Sequence, residues 1–291
     1  MVVHLIDVSG FIYRAFYGLP SLIYEGQEVG ALYGFCSAMQ KIVAMFPKSM
    51  FIAAMDCGKK TFRNEIYPEY KATRKAMPEE LVAQIPLIKD ACDKFGFFKI
   101  EKLGFEADDI IATYAKKIRE EQVNIISSDK DLMQLMNDRT TIYDPMKRKY
   151  ITKEDVIKKF GVPPGQVLDV LSLMGDTSDN IPGISGIGVK TAATLINEYG
   201  SLDNLIKNID SLPKSKRNDI LKAEIDKAIL SRNLIRLNDD LDLEYEFKVS
   251  EPKGLNEFLL YHGFKSLVKN KEKQNQFFNI AENLSQVGKI S

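Results

Sequence analysis

Two rhythms of apolar and polar residues run through the first half of the chain. Three short stretches are almost continuously apolar: Met1 to Ile6, Met50 to Met55 and Val123 to Ile126. Each is followed by carboxylates. Asp7 follows the first, Asp56 the second, and Asp129 and Asp131 the third, behind Ser127 and Ser128. Runs of this length and composition are strands buried on both faces of a parallel sheet. Between them the period lengthens. Leu32, Phe35, Cys36, Met39 and Val43 recur within Ala31 to Phe46, and Ile110, Ile111, Tyr114, Ala115 and Ile118 within Ala107 to Ile118. Both patterns place one apolar stripe on a helix. Strand alternating with helix predicts an α/β fold, a mainly parallel central sheet flanked by helices. In such sheets the ligand site lies beyond the carboxyl ends of the strands. Asp7, Asp56, Asp129 and Asp131 are therefore expected to converge.

Two regions depart from this rhythm. From Lys59 to Lys75 the chain holds Lys59, Lys60, Arg63, Lys71, Arg74 and Lys75, interleaved with Phe62, Tyr67 and Tyr70. Pro68 and Pro78 interrupt it, so it reads as a basic, aromatic-bearing excursion from the sheet, an arch around residues 59–95 of a domain spanning 1–162. After Gly161 the strand signals mostly stop. Helical patterns cover Gln166 to Met174, Lys190 to Glu198, Leu202 to Asn208 and Asn218 to Leu234. They define a helical region over 163–265, with a short strand expected at Leu241 to Val249 and a polar tail or linker over 266–291.

Composition narrows the chemistry. The chain has 291 residues, 45% apolar and 27% charged, as ordered globular proteins do. Lysine plus arginine and aspartate plus glutamate both number 40, so overall charge points to no partner. With only His4 and His262, a histidine-rich zinc site or a histidine-based triad is not expected. Cys36, Cys57 and Cys92 are odd in number and widely spaced, which fits a reduced, cytoplasmic protein. No apolar run is long enough to span a bilayer. The first apolar stretch lacks a basic flank and carries Asp7, unlike a signal peptide. Any catalysis is expected to rest on carboxylates.

Three acidic constellations stand out. Glu106, Asp108 and Asp109 open an amphipathic helix, where acidic residues also suit the helix dipole. Asp129 and Asp131 lie two apart at a strand end, where either could instead cap the helix from Leu132 to Met136. Asp176 and Asp179 stand in a Gly-Asp-Thr-Ser-Asp-Asn stretch that also suits a polar loop. With Asp7 and Asp56 these make nine carboxylates. Such a cluster repels itself at neutral pH unless cations bind it. Oxygen-only ligands select hard ions, Mg²⁺ or Mn²⁺. The surplus of carboxylates suggests two ions, about 4 Å apart in enzymes that cut phosphodiesters with a metal pair.

The stretch Gly183 to Thr191 nearly matches a P-loop, but Val189 separates Gly188 from Lys190, and no strand precedes it. Nucleotide binding is therefore rejected. A small-residue turn before a helix still exposes backbone N–H groups to a phosphate, and an ordinary helix–helix turn is the alternative.

Leu5 to Phe16 (LIDVSGFIYRAF), Thr61 to Arg74 (TFRNEIYPEYKATR), Gly104 to Ile111 (GFEADDII), Ser128 to Leu135 (SDKDLMQL) and Leu173 to Thr191 (LMGDTSDNIPGISGIGVKT) together resemble the 5′-nuclease family. The likeness is strongest to the 5′→3′ exonuclease domain of bacterial DNA polymerase I. It runs from about residue 2 to 265. One departure is Val8, where the family often has glycine. The resemblance implies a PIN-like or resolvase-like core and a helix–hairpin–helix at Gly183 to Gly188. It implies a two-ion, Mg²⁺-dependent phosphodiesterase, with Mn²⁺ a substitute, that cuts DNA bearing a 5′ flap or 5′ end and RNA primers on DNA.

On the resemblance, Asp7, Asp56, Glu106, Asp108 and Asp109 surround a first ion. Asp129 and Asp131 bridge, and Asp176 and Asp179 form a second, looser site. Asp109 and Asp131 are taken as catalytically essential. Lys71 and Arg74, with Tyr70, stand over the scissile phosphate. Tyr70 would stack on a base or sit in the core. Arg14 and Arg63 are weaker phosphate contacts, with packing or ion pairing the alternative. Gly183, Gly186, Gly188 and Lys190 would grip a duplex backbone, with a K⁺ ion there. A polymerase on the same natural chain, a monomeric state and a bacterial, nucleoid-associated location are also implied. A PIN-type ribonuclease is disfavoured by the second acidic pair and the hairpin. A silent DNA-junction binder is disfavoured because every carboxylate is in place.

Overall fold

A computed structural model of the chain describes residues 2–58, 60–244 and 252–268. In chain order the elements are β1 (Val2–Asp7), α1 (Val8–Gly18), the hairpin strands β2 (Ile23–Tyr24) and β3 (Gln27–Glu28), α2 (Gly30–Met45), β4 (Met50–Ala54), α3 (Phe62–Ile66), α4 (Glu79–Val82), α5 (Ile85–Lys94) and β5 (Phe98–Ile100). They continue through α6 (Ala107–Lys117), β6 (Gln122–Ile126), β7 (Thr140–Asp144), β8 (Lys149–Ile151), α7 (Lys153–Phe160), α8 (Val167–Met174), α9 (Val189–Tyr199), α10 (Leu202–Lys207), α11 (Lys216–Ala223), α12 (Ile225–Ile235) and α13 (Leu255–Tyr261). No described helix is long and apolar enough to cross a membrane.

The chain separates into two compact units. Among the described residues, one holds the chain up to Met55, Met77–Ile100 and the part from Asp242; the other holds Asp56–Ala76 and Glu101–Leu241. The basic excursion expected as one arch is thus divided. Its cationic half belongs to the second unit, while α4 and α5 belong to the first.

In the first unit β5, β4 and β1 lie side by side in that order, all parallel. Leu5, Ile6, Ile52 and Ala53 have no exposed surface, which explains why their runs do not alternate. Helix α1 begins with no loop after β1, because the Gly10 N–H donates to the Asp7 carboxylate (3.2 Å). α2 packs on α1 and α5, burying Leu32, Phe35, Cys36 and Met39. Each large side chain so buried contributes about 1.5–3 kcal/mol. Gln84 is fully buried, and its Oε1 accepts the Leu32 N–H (3.0 Å) at the start of α2.

In the second unit β6 pairs parallel with β7, and β8 returns antiparallel. The mainly parallel α/β reading therefore holds. The helical region is built on α8, which packs against α9 and α12 and buries Val167, Val170, Leu171 and Leu173. At its end Gly175 and Gly183 bring two backbones together. A Cβ on Gly183 would stand 2.4 Å from the Met174 carbonyl carbon, and its φ of 57° suits glycine.

Two expectations change. The helix predicted from Asn218 to Leu234 is two helices, interrupted at Glu224, whose φ and ψ of −113° and 12° leave the helical region. Of the strand expected at Leu241 to Val249, Leu241 to Glu244 are not strand, and the rest lies outside the described residues, as does most of the 266–291 tail.

Candidate active site

The helix-end reading of Glu106-Ala107-Asp108-Asp109 is realised at the start of α6. Glu106 is the extended N-cap of α6 and forms a capping box with Asp109. The Asp56 carboxylate accepts the Ala107 N–H (2.9 Å), so it too satisfies the start of α6. The outward face of Glu106 does something else. Its Oε2 accepts the Tyr70 hydroxyl (3.1 Å), and its Oε1 accepts Lys71 Nζ (2.6 Å). Asp108 is half-buried beside it.

Asp109 turns inward and is fully buried. Arg63, 1% exposed, grips it with two hydrogen bonds of 2.7 and 2.8 Å. The Glu106 N–H (3.1 Å) and the Asn238 N–H (2.8 Å) also donate to its carboxylate. Arg63 further donates Nε to the Leu234 carbonyl (2.7 Å). Burial alone would lower the Arg63 pKa, but the hydrogen bonds and charge of Asp109, with Glu106, raise it. Two expectations are corrected here. Arg63 is a buried tie between α3, α6 and the C-terminal end of α12, not a phosphate contact. Asp109 is the anion of that tie, with no oxygen left facing outward.

Tyr70 is corrected as well. It is 5% exposed and belongs to the core alternative, not to a base-stacking surface. Burial, then the charge of Glu106, pushes its pKa up, so the phenol stays protonated and donates.

Beyond β6 the Asp129 N–H donates to Ser127 Oγ (3.0 Å), and the Asp131 N–H to Asp129 Oδ1 (2.8 Å). This chain of turns aims Asp131 back at the acidic loop. Lys130 crosses to Asp176 (2.5 Å), whose other oxygen accepts the Ser178 N–H (2.8 Å) and hydroxyl (2.6 Å). These donors and the Lys130 charge hold Asp176 below its ordinary pKa against the opposing effect of burial. Asp131 feels the Lys130 charge but lacks such donors. Its Oδ1 is buried and accepts no hydrogen bond. Burial, then the charge of Asp129, pushes its pKa up to about 7.

The acidic loop carries the basic segment on its back. The Lys71 N–H donates to the Asp179 carbonyl (2.9 Å), and Asn180 Nδ2 to the Glu69 carbonyl (2.7 Å). Arg74 pairs with the buried Asp179 carboxylate, and Lys71 Nζ lies 3.8 Å from it. Lys71 adopts a φ of 57°, the left-handed region. Lys71 and Arg74, read from sequence as facing a phosphate, are here folded down onto Glu106 and Asp179.

The second unit thus gathers Asp56, Glu106, Asp108, Asp129, Asp131, Asp176 and Asp179, with Asp109 behind them. Asp7 ends β1 of the first unit, and Arg14 lies exposed on α1 of that unit. Among the described residues no three acidic, histidine or cysteine side chains form a ready-made metal site. Lysine and arginine hold several of the carboxylates instead. The donor set nevertheless fits a hard cation. It is all oxygen, and its buried, unpartnered Asp131 oxygen is the kind of atom a divalent ion satisfies.

In the hairpin, Gly183 is buried, with its N–H on Ser231 Oγ (3.1 Å), and so is corrected from a backbone contact to a packing position. Gly186 and Gly188 are exposed, and a Cβ on either meets nothing within 4 Å. Gly186 has a φ of 75°, but Gly188, the N-cap of α9, has an extended backbone at −94°. Lys190 is exposed one residue into α9. Sequence reading overlooked Lys130, although it sits between the two aspartates of its motif. It also overlooked Asn180, Ser231 and Glu224, whose partners lie 39 to 111 positions away and leave no local signal.

The family model for the 5′-3′ exonuclease N-terminal resolvase-like domain matches residues 2–161, and that for the 5′-3′ exonuclease C-terminal SAM fold matches residues 162–257. A 5′-3′ exonuclease of Aquifex aeolicus is 37% identical over 93% of this chain and 95% of its own length. A DNA polymerase I of Rhizobium leguminosarum is 46% identical over 86% of the chain, which spans only 26% of that relative. Among solved structures, a T5 D15 flap endonuclease in complex with DNA and metal ions superposes with a TM-score of 0.68 at 21% identity, covering 97% of this chain and 100% of that one, a likeness of fold. With both halves of the family's architecture matched in order along one chain, this protein belongs to the 5′-3′ exonuclease family.

Proposed function

We propose that this chain is a divalent-metal-dependent, structure-specific nuclease. It removes 5′-terminal nucleotides and cuts 5′ flaps on DNA, and acts likewise on RNA primers annealed to DNA. The observation that carries the reading is the unpartnered Asp131 oxygen, set among Asp129, Asp176 and Asp179 beyond β6. Ions held by these carboxylates, two Mg²⁺ or Mn²⁺ in this reading, would supply Lewis acidity and an activated nucleophile for phosphodiester hydrolysis. Glu106, Asp108, Asp129, Asp131, Asp176 and Asp179 hold them, together with Asp56. Asp109 and Arg63 keep the first turn of α6 in place from behind. The hairpin from Gly186 to Lys190 grips the duplex backbone, with K⁺ assisting. The relatives named DNA polymerase I support a polymerase on the same natural chain. A monomer acting at the bacterial nucleoid completes the reading.

Lys71 and Arg74 have two stations. On the carboxylates they offset the repulsion of the acidic cluster. When a divalent ion takes that task they are released, and can neutralise charge developing on phosphoryl oxygens. Lys71→Ala should therefore cut single-turnover cleavage of a 5′-flap duplex by about 10²–10³-fold, with little change in duplex affinity. Divalent-ion affinity of the same variant, titrated by calorimetry without DNA, should hold or rise, because Glu106 has lost its competing ammonium. A loss confined to DNA binding would make Lys71 a docking contact only.

Gly188→Val tests the hairpin. The extended backbone and open space at Gly188 let the fold accept a side chain. A phosphate approaching that backbone would not. Duplex affinity should fall with a shallower salt dependence, while cleavage at saturating substrate suffers less. Wild-type affinity and salt slope would leave the turn as a mere connector.

A further inference from the structure

We propose that Glu224 is a positioning residue for the nucleic-acid backbone, holding the Gly183–Gly188 hairpin in its binding shape through Ser185. This rests on the reading of that hairpin as the duplex contact.

The interruption between α11 and α12 places Glu224 where an unbroken helix would not. Its Oε2 accepts the Ser185 N–H (2.8 Å) and its Oε1 the Ser185 hydroxyl (3.1 Å). The Oε1 also accepts Lys227 Nζ (2.7 Å), one turn along α12. Lys227, then Ser185, draws the Glu224 pKa down to about 2, so the acceptor is ionised at any working pH. The other end of the turn is fixed from the same helix, where Ser231 holds Gly183.

The donors of the turn are divided accordingly. The N–H groups of Gly183, Ile184, Ser185 and Ile187 donate to Ser231, the Leu173 carbonyl, Glu224 and the Ile184 carbonyl. Gly186 and Gly188 are exposed, and among the described residues their N–H groups have no acceptor. A phosphate can therefore meet the turn only on the Gly186–Lys190 side. Glu224 has taken the neighbouring donors, and so decides which face is offered. A carboxylate beside a phosphate site should repel the ligand. Lys227 offsets that charge, and what remains is a turn ordered before binding, which lowers the entropy lost on association.

The test compares Glu224→Ala with Glu224→Gln on the full chain, using a 5′-flap duplex. Anisotropy in EDTA gives duplex affinity across salt, and steady-state cleavage in Mg²⁺ gives KM and kcat. Glu224→Ala should raise Kd and KM about 10-fold with kcat nearly unchanged, because the loosened turn must order on binding. Its salt slope should stay wild-type, since no phosphate contact is removed. Glu224→Gln keeps an acceptor for the Ser185 N–H and should restore most of the affinity. Melting curves confirm that both variants are folded; Ser185→Ala, which loses only the hydroxyl bond, should give a smaller loss in the same direction. If both Glu224 variants bind duplex more tightly, or Glu224→Gln is as weak as Glu224→Ala, the carboxylate acts through charge and the positioning role is wrong. Gly188→Val separates the two levels. If it weakens binding and Glu224→Ala does not, this inference alone fails; if neither does, the duplex-binding reading of the hairpin fails with it.

Discussion

Asp109→Ala should melt far below the wild type, and its loss of cleavage should follow its loss of fold. The substitution leaves the Arg63 guanidinium, 1% exposed, without its two-hydrogen-bond partner and with only the Glu106 carboxylate, 3.5 Å away, to offset its charge. Breaking a buried pair in this way costs about 3–5 kcal/mol. For a chain of this size that is a fall in Tm on the order of 10 °C. It also orphans the N–H groups of Glu106 and Asn238, which now donate to Asp109. Arg63→Ala should be nearly as severe, because it strands the Asp109 carboxylate and the Leu234 carbonyl. The double variant Arg63→Met with Asp109→Leu should recover a large part of the loss, since an apolar pair of similar volume often replaces a buried ion pair without penalty. Thermal melts of the three, with cleavage assayed well below each midpoint, decide the matter. A wild-type Tm for Asp109→Ala would return Asp109 to the metal centre.

This result separates what sequence could and could not resolve. The strand that ends in Asp7 and those that precede Asp56 and Asp129 are legible because burial on both faces leaves an unbroken apolar run, and a strand's end is where that run stops. The helices α2 and α6 were legible from their stripes. The division of labour between Asp108 and Asp109 was not. Neighbouring helical residues point about 100° apart, and which one faces inward depends on Arg63, 46 positions away. The same holds for the basic segment. Composition marked a basic segment and the resemblance set Lys71 and Arg74 over a phosphate, but their resting partners, Glu106 for Lys71 and Asp179 for Arg74, lie 35 and 105 positions along the chain. The break at Glu224 had no local breaker, neither proline nor glycine, and α11 and α12 read as one helix. α7 shows the converse: the capping box from Thr152 to Asp155 was present in the sequence, yet its short run was passed over.

Asp131→Asn should lose cleavage and keep, or gain, stability. It removes a charge while keeping the shape of the side chain, and the oxygen concerned has no hydrogen bond to lose. Supporting groups behind a metal ligand typically cost 10–100-fold when removed, so a carboxylate facing the ion should cost at least about 100-fold. The metal-free protein offers an independent reading through pH. The Asp131 pKa is raised in the folded state from 3.8 to about 7. Between those limits the native form holds the proton more tightly than the unfolded chain does. Its contribution to stability is therefore complete below 3.8 and is lost as pH rises through about 7. Asparagine does not titrate. In EDTA the variant should melt close to the wild type at the acid end of this window, and above it at pH 8, by a margin that grows between the two. Divalent ion added at pH 8 should close or reverse that margin, because the wild-type carboxylate then gains a partner that asparagine cannot match. A variant that melts below the wild type at pH 8 in EDTA would place Asp131 among the structural anions beside Asp109. One that cleaves flaps at the wild-type rate would remove it from the metal centre altogether.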